Sequence, residues 1–100
     1  MPSFSTEVPH SLGREEAKQR LENFLQRAAQ MYKDQVSELQ GEWTGDTLNF
    51  HITTYGFKIS GALTVEDNLV RLTGNLPFAA VAFRGKIEKS FAAELQRALA

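Results

Sequence analysis

Two kinds of side chain in this sequence could carry acid–base or metal chemistry: the imidazoles and the paired carboxylates. The chain has two histidines, His10 and His51, and adjacent carboxylates at residues 15–16 and 66–67. The histidines lack the close paired spacing of a helical zinc site. Each carboxylate pair falls where charge has a structural use, one at a helix N-terminus and the other in a turn. We therefore expect no catalytic residue and no metal site.

Nucleophilic catalysis and cofactor binding have no better support in the sequence. Ser11 follows His10, but no third residue is placed to orient the imidazole. There is no P-loop, no dinucleotide glycine pattern and no nucleophile elbow. Because the chain has no cysteine, thiolate chemistry is excluded as well. We expect a protein that is not an enzyme and needs no cofactor, and the roles of His10, His51 and Tyr55 stay open.

The net charge and the lengths of the apolar segments limit which classes of partner the protein could have. Eleven basic and twelve acidic residues are interleaved along the chain, with a net charge of −1, so no basic field attracts nucleic acid. The longest nearly uncharged apolar segment, residues 76–83, is shorter than the ~20 residues that span a bilayer. The start, MPSFSTEV, lacks the basic and apolar regions of a signal peptide. We expect a cytoplasmic protein without a membrane span or a nucleic-acid partner.

The hydrophobic pattern predicts the elements that would position any site. Alternating residues at 3–8 indicate a strand, and helical spacing over residues 12–32 predicts a helix with Ser11 as its cap. From Leu39 to Thr73 apolar and polar residues alternate, with turns at TGDT and EDN. Connections this short imply antiparallel neighbours, and the clean alternation implies a sheet covered on one face only.

The C-terminal part predicts a second helix that starts near Pro77. Its later turns place an apolar stripe on one side, formed by Ile87, Phe91, Leu95 and Leu99. Gly85 marks either a kink between a short and a long helix or a close approach of another backbone. The register of Trp43 with Leu39 puts this tryptophan on the buried side. Residues 1–100 are thus expected to form a single α+β domain, a two-layer sandwich of order β-α-β-β-β-β-α. Its mainly antiparallel sheet has two helices packed on one face.

The segment from Phe78 to Phe83 is apolar all round, which is more than one face of a small sheet requires. Three explanations remain open. The segment could be buried beneath the N-terminal helix, it could join two subunits of a homodimer, or it could meet an apolar surface or ligand. We take Phe78, Val81 and Phe83 as the candidate contact residues.

Four segments, in order, carry a family resemblance: HSLGREEAKQRL, WTGDTLNF, ISGALTVEDNLVRLTGNLP and RGKIEKSF. Together they resemble the polyhydroxyalkanoic acid system family, bacterial proteins whose genes lie among those for polyhydroxyalkanoate granules. The resemblance runs from about His10 to Leu99 and implies an association with storage granules rather than a reaction. It implies a non-enzymatic accessory protein whose partner is the granule surface or a granule protein.

Two other hypotheses remain. The order of elements is a shortened version of the helix-grip order, in which an apolar ligand lies between the sheet and the final helix. A cleft beside Trp43 and Phe91 would favour that function. Alternatively, the protein is a dimeric interaction module with an isologous contact through residues 76–83.

Overall fold

The computed structural model describes residues 3–54 and 56–100, so Tyr55 lies outside the described residues. The elements are β1 (Ser3–Pro9), α1 (Arg14–Met31), β2 (Val36–Thr44), β3 (Thr47–Thr54), β4 (Phe57–Val65), β5 (Leu69–Asn75), a 3₁₀ helix (Phe78–Phe83) and α2 (Arg84–Leu99). Within the described residues the strands form one antiparallel sheet of order β1-β5-β4-β3-β2. The predicted α+β class and element order are confirmed, with the 3₁₀ helix added before α2.

The alternation seen in the sequence decides which face of the sheet is buried. Both α-helices pack on the same face, and the core residues that the sheet contributes there are Phe4, Val8, Leu48, Phe50, Ile59, Leu63, Val65, Val70 and Leu72. The opposite face is polar and carries cross-strand ion pairs. Arg71 Nε lies 2.8 Å from Glu7 Oε2, and Arg71 Nη2 lies 3.3 Å from Glu66 Oε2. The hydrogen bond to Glu7 and the charge of Glu66 raise the pKa of Arg71.

The start of α1 differs from the prediction. Ser11 is not the cap; the helix begins at Arg14, and Gly13 holds the cap position with φ 82°. The reason lies in the preceding loop, where the backbone N–H of Leu12 donates to His10 Nδ1 at 3.2 Å. This contact turns the chain before the helix, and the left-handed conformation that follows is one glycine adopts without a steric penalty.

The C-terminal segment also differs in its first part. No α-helix starts at Pro77; the chain first forms the 3₁₀ helix, and α2 begins at Arg84. Gly85 lies in the first turn of α2, and a Cβ added there would have no atom within 4 Å. Of the two explanations for Gly85, the junction between a short and a long helix is therefore correct. Among the residues that the structure describes, no other backbone lies within 4 Å of a Cβ added at Gly85.

Two glycines set how closely α2 lies on the sheet. Gly61 and Gly74 are opposite each other on β4 and β5. The Phe4 ring lies over Gly74, where a Cβ would be 2.5 Å from its Cε1, and the Phe50 ring lies over Gly61. Phe91 of α2 stacks on Phe4 with ring centroids 5.5 Å apart and lies 6.0 Å from the Phe50 ring. Three aromatic rings thus join α2 to the sheet above a pair of residues without side chains.

The two outer strands of the sheet have different surroundings. On β1 the backbone N–H of Ser5 donates to Glu88 Oε2 of α2 at 2.9 Å, and the guanidinium Nη1 of Arg84 donates to the Ser3 carbonyl at 3.4 Å. On β2 the pairing with β3 shifts register within residues 36–38. In the part of the chain that the structure describes, no helix combines the length and apolarity needed to cross a membrane.

Candidate functional site

The three candidate contact residues all lie on the 3₁₀ helix and are exposed, and they are here together called the 3₁₀ patch. Phe78 is 80% exposed, Phe83 52% and Val81 38%. In a 3₁₀ helix residues three apart are aligned, so Phe78 and Val81 share one row. Ala80 lies on a different row and is fully buried, and Phe83 at the end of the helix follows it on that row but stays half exposed beside the cleft. Burial of the segment beneath the N-terminal helix is therefore wrong: only its Ala80 side is taken into the core.

The 3₁₀ patch has a fixed base. Leu76 is 1% exposed and belongs to the core cluster together with Ala80. The N–H of Ala80 donates to the Pro77 carbonyl at 2.9 Å, and the N–H of Arg84 donates to the Val81 carbonyl. The exposed rings are thus presented from a backbone that is hydrogen-bonded at both ends and buried on one side. Little further backbone entropy would be lost if another surface covered these side chains.

A second apolar feature is a cleft of about 650 Å³ between the two helices and the sheet, here called the helix–sheet cleft. It arises because the strands have unequal lengths. β4 pairs with β3 from Phe57 onwards but pairs with β5 only from Ser60 onwards. The three strands β2, β3 and β4 therefore extend beyond β1 and β5. The helices cover this extension incompletely.

Most of the residues that line the helix–sheet cleft are apolar. The apolar ones are Leu21, Phe24, Leu25, Ala28, Val36, Leu39, Leu48, Phe50, Ile52, Phe57, Ile59, Leu63, Leu72, Phe83, Ile87, Phe91 and Leu95. The polar ones are Tyr32, Gln35, Thr54, Lys86, Ser90 and Glu94. Phe83 belongs both to this lining and to the 3₁₀ patch, so the two apolar features adjoin.

The structure separates the two residues that the sequence placed beside a cleft. Phe91 lines the helix–sheet cleft, whereas Trp43 does not. Trp43 is partly buried against the core near the first half of α1. Its Nε1 donates to Glu22 Oε2 at 2.6 Å, and Lys18 Nζ lies 5.4 Å from the ring centroid. Because the cleft opens beside the second half of α1, Trp43 is too far along the helix to reach it.

The charged residues of the cleft differ in their surroundings. Glu94 Oε1 accepts a hydrogen bond from Tyr32 Oη at 3.2 Å and forms an ion pair with Arg97 at 3.0 Å. Within the described residues, Lys86 has no carboxylate at ion-pair distance. The cleft therefore combines an apolar interior with one uncompensated positive charge on its wall.

Neither histidine lines the helix–sheet cleft or belongs to the 3₁₀ patch. His10 accepts the Leu12 N–H at Nδ1, and its Nε2 donates to the Glu66 carbonyl at 3.0 Å. This arrangement joins the loop before α1 to the turn between β4 and β5, which is a structural role. His51 is exposed on β3 in register with Gln40 and Ser60. Over residues 3–54 and 56–100 no three histidine or acidic side chains are grouped as metal ligands would be.

The described residues thus form an α+β sandwich with an exposed apolar patch and an adjoining apolar cleft. The comparison with known families then gives the affiliation. Residues 5–99 match the family described as putative polyhydroxyalkanoic acid system protein, and the chain belongs to this family. The match also includes residues 28–39, which the four quoted segments do not cover. No curated protein and no solved structure is significantly similar to the chain.

Proposed function

We propose that this protein is a non-enzymatic accessory component of polyhydroxyalkanoate storage that attaches to the granule surface in the cytoplasm through the 3₁₀ patch. The observation that carries this proposal is the exposure of Phe78 on a helix whose Ala80 is fully buried. A phenylalanine that is 80% exposed contributes nothing to the core, so its apolar surface is free for another contact. The family affiliation supports the polyhydroxyalkanoate granule as the place of that contact.

The size of the patch suits attachment to an apolar polymer. Burying a large apolar side chain contributes about 1.5–3 kcal/mol. Scaled by the exposed fractions of Phe78, Val81 and Phe83, covering the patch would contribute about 3–5 kcal/mol. That free energy raises a partition coefficient by roughly two to four orders of magnitude. Attachment of this strength is reversible, as expected of an accessory protein rather than a permanent coat.

Co-sedimentation with isolated granules tests the proposal. The variant to use is Phe78→Ser combined with Val81→Ser, because neither residue lines the cleft. Met31→Ser is the matched control, since Met31 is 68% exposed at the end of α1 and lies outside the patch. We expect the wild type and the control to pellet and the double variant to remain in solution with a native far-UV spectrum. Equal pelleting of all three would contradict attachment through the patch.

A second experiment with the same variants separates granule attachment from a homodimer. A dimer through residues 76–83 would bury the same side chains against a second copy. Sedimentation equilibrium of the wild type and the double variant measures this directly. If the double variant lost a dimer but still pelleted with granules, the patch would serve self-association and the proposed function would be wrong.

A further inference from the structure

The helix–sheet cleft has the dimensions and the lining of a small-molecule site. Its volume of about 650 Å³ lies within the range of roughly 300–1,000 Å³ that is usual for ligand pockets. Helices α1 and α2 form two walls and strands β2–β4 form the floor. The side chains on the α1 wall and on the floor are mostly apolar, whereas α2 contributes three apolar and three polar side chains. An interior of this kind favours an alkyl chain over a polar molecule, because a polar group would lose its water without gaining a hydrogen bond.

The polar groups on the α2 wall indicate where the head of a ligand would lie. Lys86, Ser90 and Glu94 are spaced four residues apart, so they follow one line along α2. Lys86 and Glu94 are separated by two turns, about 12 Å along the helix axis. The Glu94 carboxylate is already held by Tyr32 and Arg97, whereas Lys86 has no carboxylate partner in the described residues. The Lys86 end of the cleft is therefore complementary to a negative charge.

We propose that the helix–sheet cleft binds a single-chain carboxylic acid, with the alkyl chain between the helices and the sheet and the carboxylate at Lys86. The alkyl chain lies against Leu25 of α1, Ile59 of β4 and Ile87 of α2. The Ser90 hydroxyl, on the same wall as Lys86, donates a second hydrogen bond to the carboxylate. The carboxylate keeps contact with water at the cleft opening, so its charge is not fully desolvated. This inference goes beyond the proposed function and does not depend on it.

Titration calorimetry on the purified protein tests the inference with two probes of equal chain length, decanoate and 1-decanol. Lys86→Gln removes the charge and keeps an unbranched polar side chain, one atom shorter than that of lysine. Lys89→Gln is its matched control, because Lys89 is exposed on the same helix and does not line the cleft. Ile87→Trp fills part of the interior.

We expect the wild type and Lys89→Gln to bind decanoate more tightly than decanol. Lys86→Gln should lower the affinity for decanoate by about fivefold, the size expected of a solvent-accessible ion pair. It should leave the affinity for decanol unchanged. Ile87→Trp should weaken both probes by at least about tenfold, because the alkyl chain then loses its space. If Ile87→Trp does not fold, Lys86→Gln still tests the inference, because Lys86 is exposed and its substitution leaves the core intact.

Three results would overturn the inference. Equal effects of Lys86→Gln and Lys89→Gln on decanoate would exclude the carboxylate position. The absence of any heat from decanoate would exclude the ligand class. A dimer that dissociates in Ile87→Trp would show that a second copy fills the cleft. The variant with Phe78→Ser and Val81→Ser should bind decanoate like the wild type, so failure of this inference is distinguishable from failure of granule attachment.

Discussion

Gly74 and Gly85 give the sharpest test of the fold, because the same chemical change has opposite expected effects at these two positions. Gly74→Ala adds a methyl group beneath the Phe4 ring, whereas Gly85→Ala adds one in open space at the start of α2. We expect Gly74→Ala to lower the free energy of unfolding and Gly85→Ala to raise it. Both residues are glycines with negative φ, so backbone strain does not distinguish them.

The magnitudes follow from the surroundings of each Cβ. At Gly74 the new methyl carbon would lie 2.5 Å from Phe4 Cε1 and 2.7 Å from the Ser60 carbonyl oxygen, where ordinary contact begins at 3.4 Å. The ring and the neighbouring strand must each move by about 1 Å, and overpacking of this kind costs about 2–3 kcal/mol. At Gly85 the loss of backbone freedom in the unfolded chain stabilises the protein by about 0.5 kcal/mol.

Urea unfolding followed by far-UV circular dichroism measures both changes as shifts of the midpoint at constant slope. Combining Gly74→Ala with Phe4→Leu identifies the cause. If the ring is what the methyl group meets, the cost of Gly74→Ala is smaller in the Phe4→Leu background than in the wild type. A Gly74→Ala protein as stable as Gly85→Ala would refute the packing of Phe4 on this glycine and, with it, the seating of α2.

The remaining predictions concern hydrogen bonds outside the two apolar features, and each is measured by the same urea unfolding. His10→Ala removes both ring contacts and leaves the Leu12 N–H without its acceptor, so we expect a loss of about 1–2 kcal/mol; His51→Ala, on the exposed face, should change stability by less than about 0.5 kcal/mol. Trp43→Phe removes the hydrogen bond to Glu22 and should cost about 1 kcal/mol. An unchanged midpoint in Trp43→Phe would mean that water replaces the indole N–H as the donor to the Glu22 carboxylate without loss of stability.

The faces of the strands and the body of α1 were predictable from the sequence, because their pattern repeats over many residues. Phe4 and Val8 on β1, and Leu48 and Phe50 on β3, are buried as their alternation requires. The family was also predictable, since the four quoted segments lie within the matched residues 5–99. Each of these predictions rests on several positions that agree with one another, so a single ambiguous residue does not change the result.

The ends of the helices were less predictable, because they depend on single residues with competing uses. Ser11 has the chemistry of a cap, but the His10 ring takes the Leu12 N–H and the helix begins later. Pro77 is equally suited to precede an α-helix or a 3₁₀ helix. The segment after it has no amphipathic period of 3.6 residues, so nothing in its pattern favoured one over the other.

The helix–sheet cleft could not be predicted from sequence patterns, and the reason is different. Phe57 and Ile59 would be apolar whether a helix covered them or not. What opens the cleft is the point at which β5 stops pairing with β4, and this is a property of register between distant segments. The prediction that Trp43 lies beside the cleft failed for the same reason. The face of β2 that carries Trp43 was predicted correctly, but the part of α1 that this residue contacts was not.

The surroundings of the two outer strands, finally, limit how copies of this protein can associate. An unpaired strand edge is a template for another strand, and natural sheets protect such edges with bulges, charges or covering elements. Here Glu88 of α2 accepts a hydrogen bond from the outward N–H of Ser5 on β1. On the other outer strand, the register shift at the start of β2 is accompanied by the acidic residues Glu38 and Glu42. Growth of the sheet from molecule to molecule is thereby opposed at both sides. A protein crowded onto a surface at high local concentration would need this protection to remain as separate folded copies.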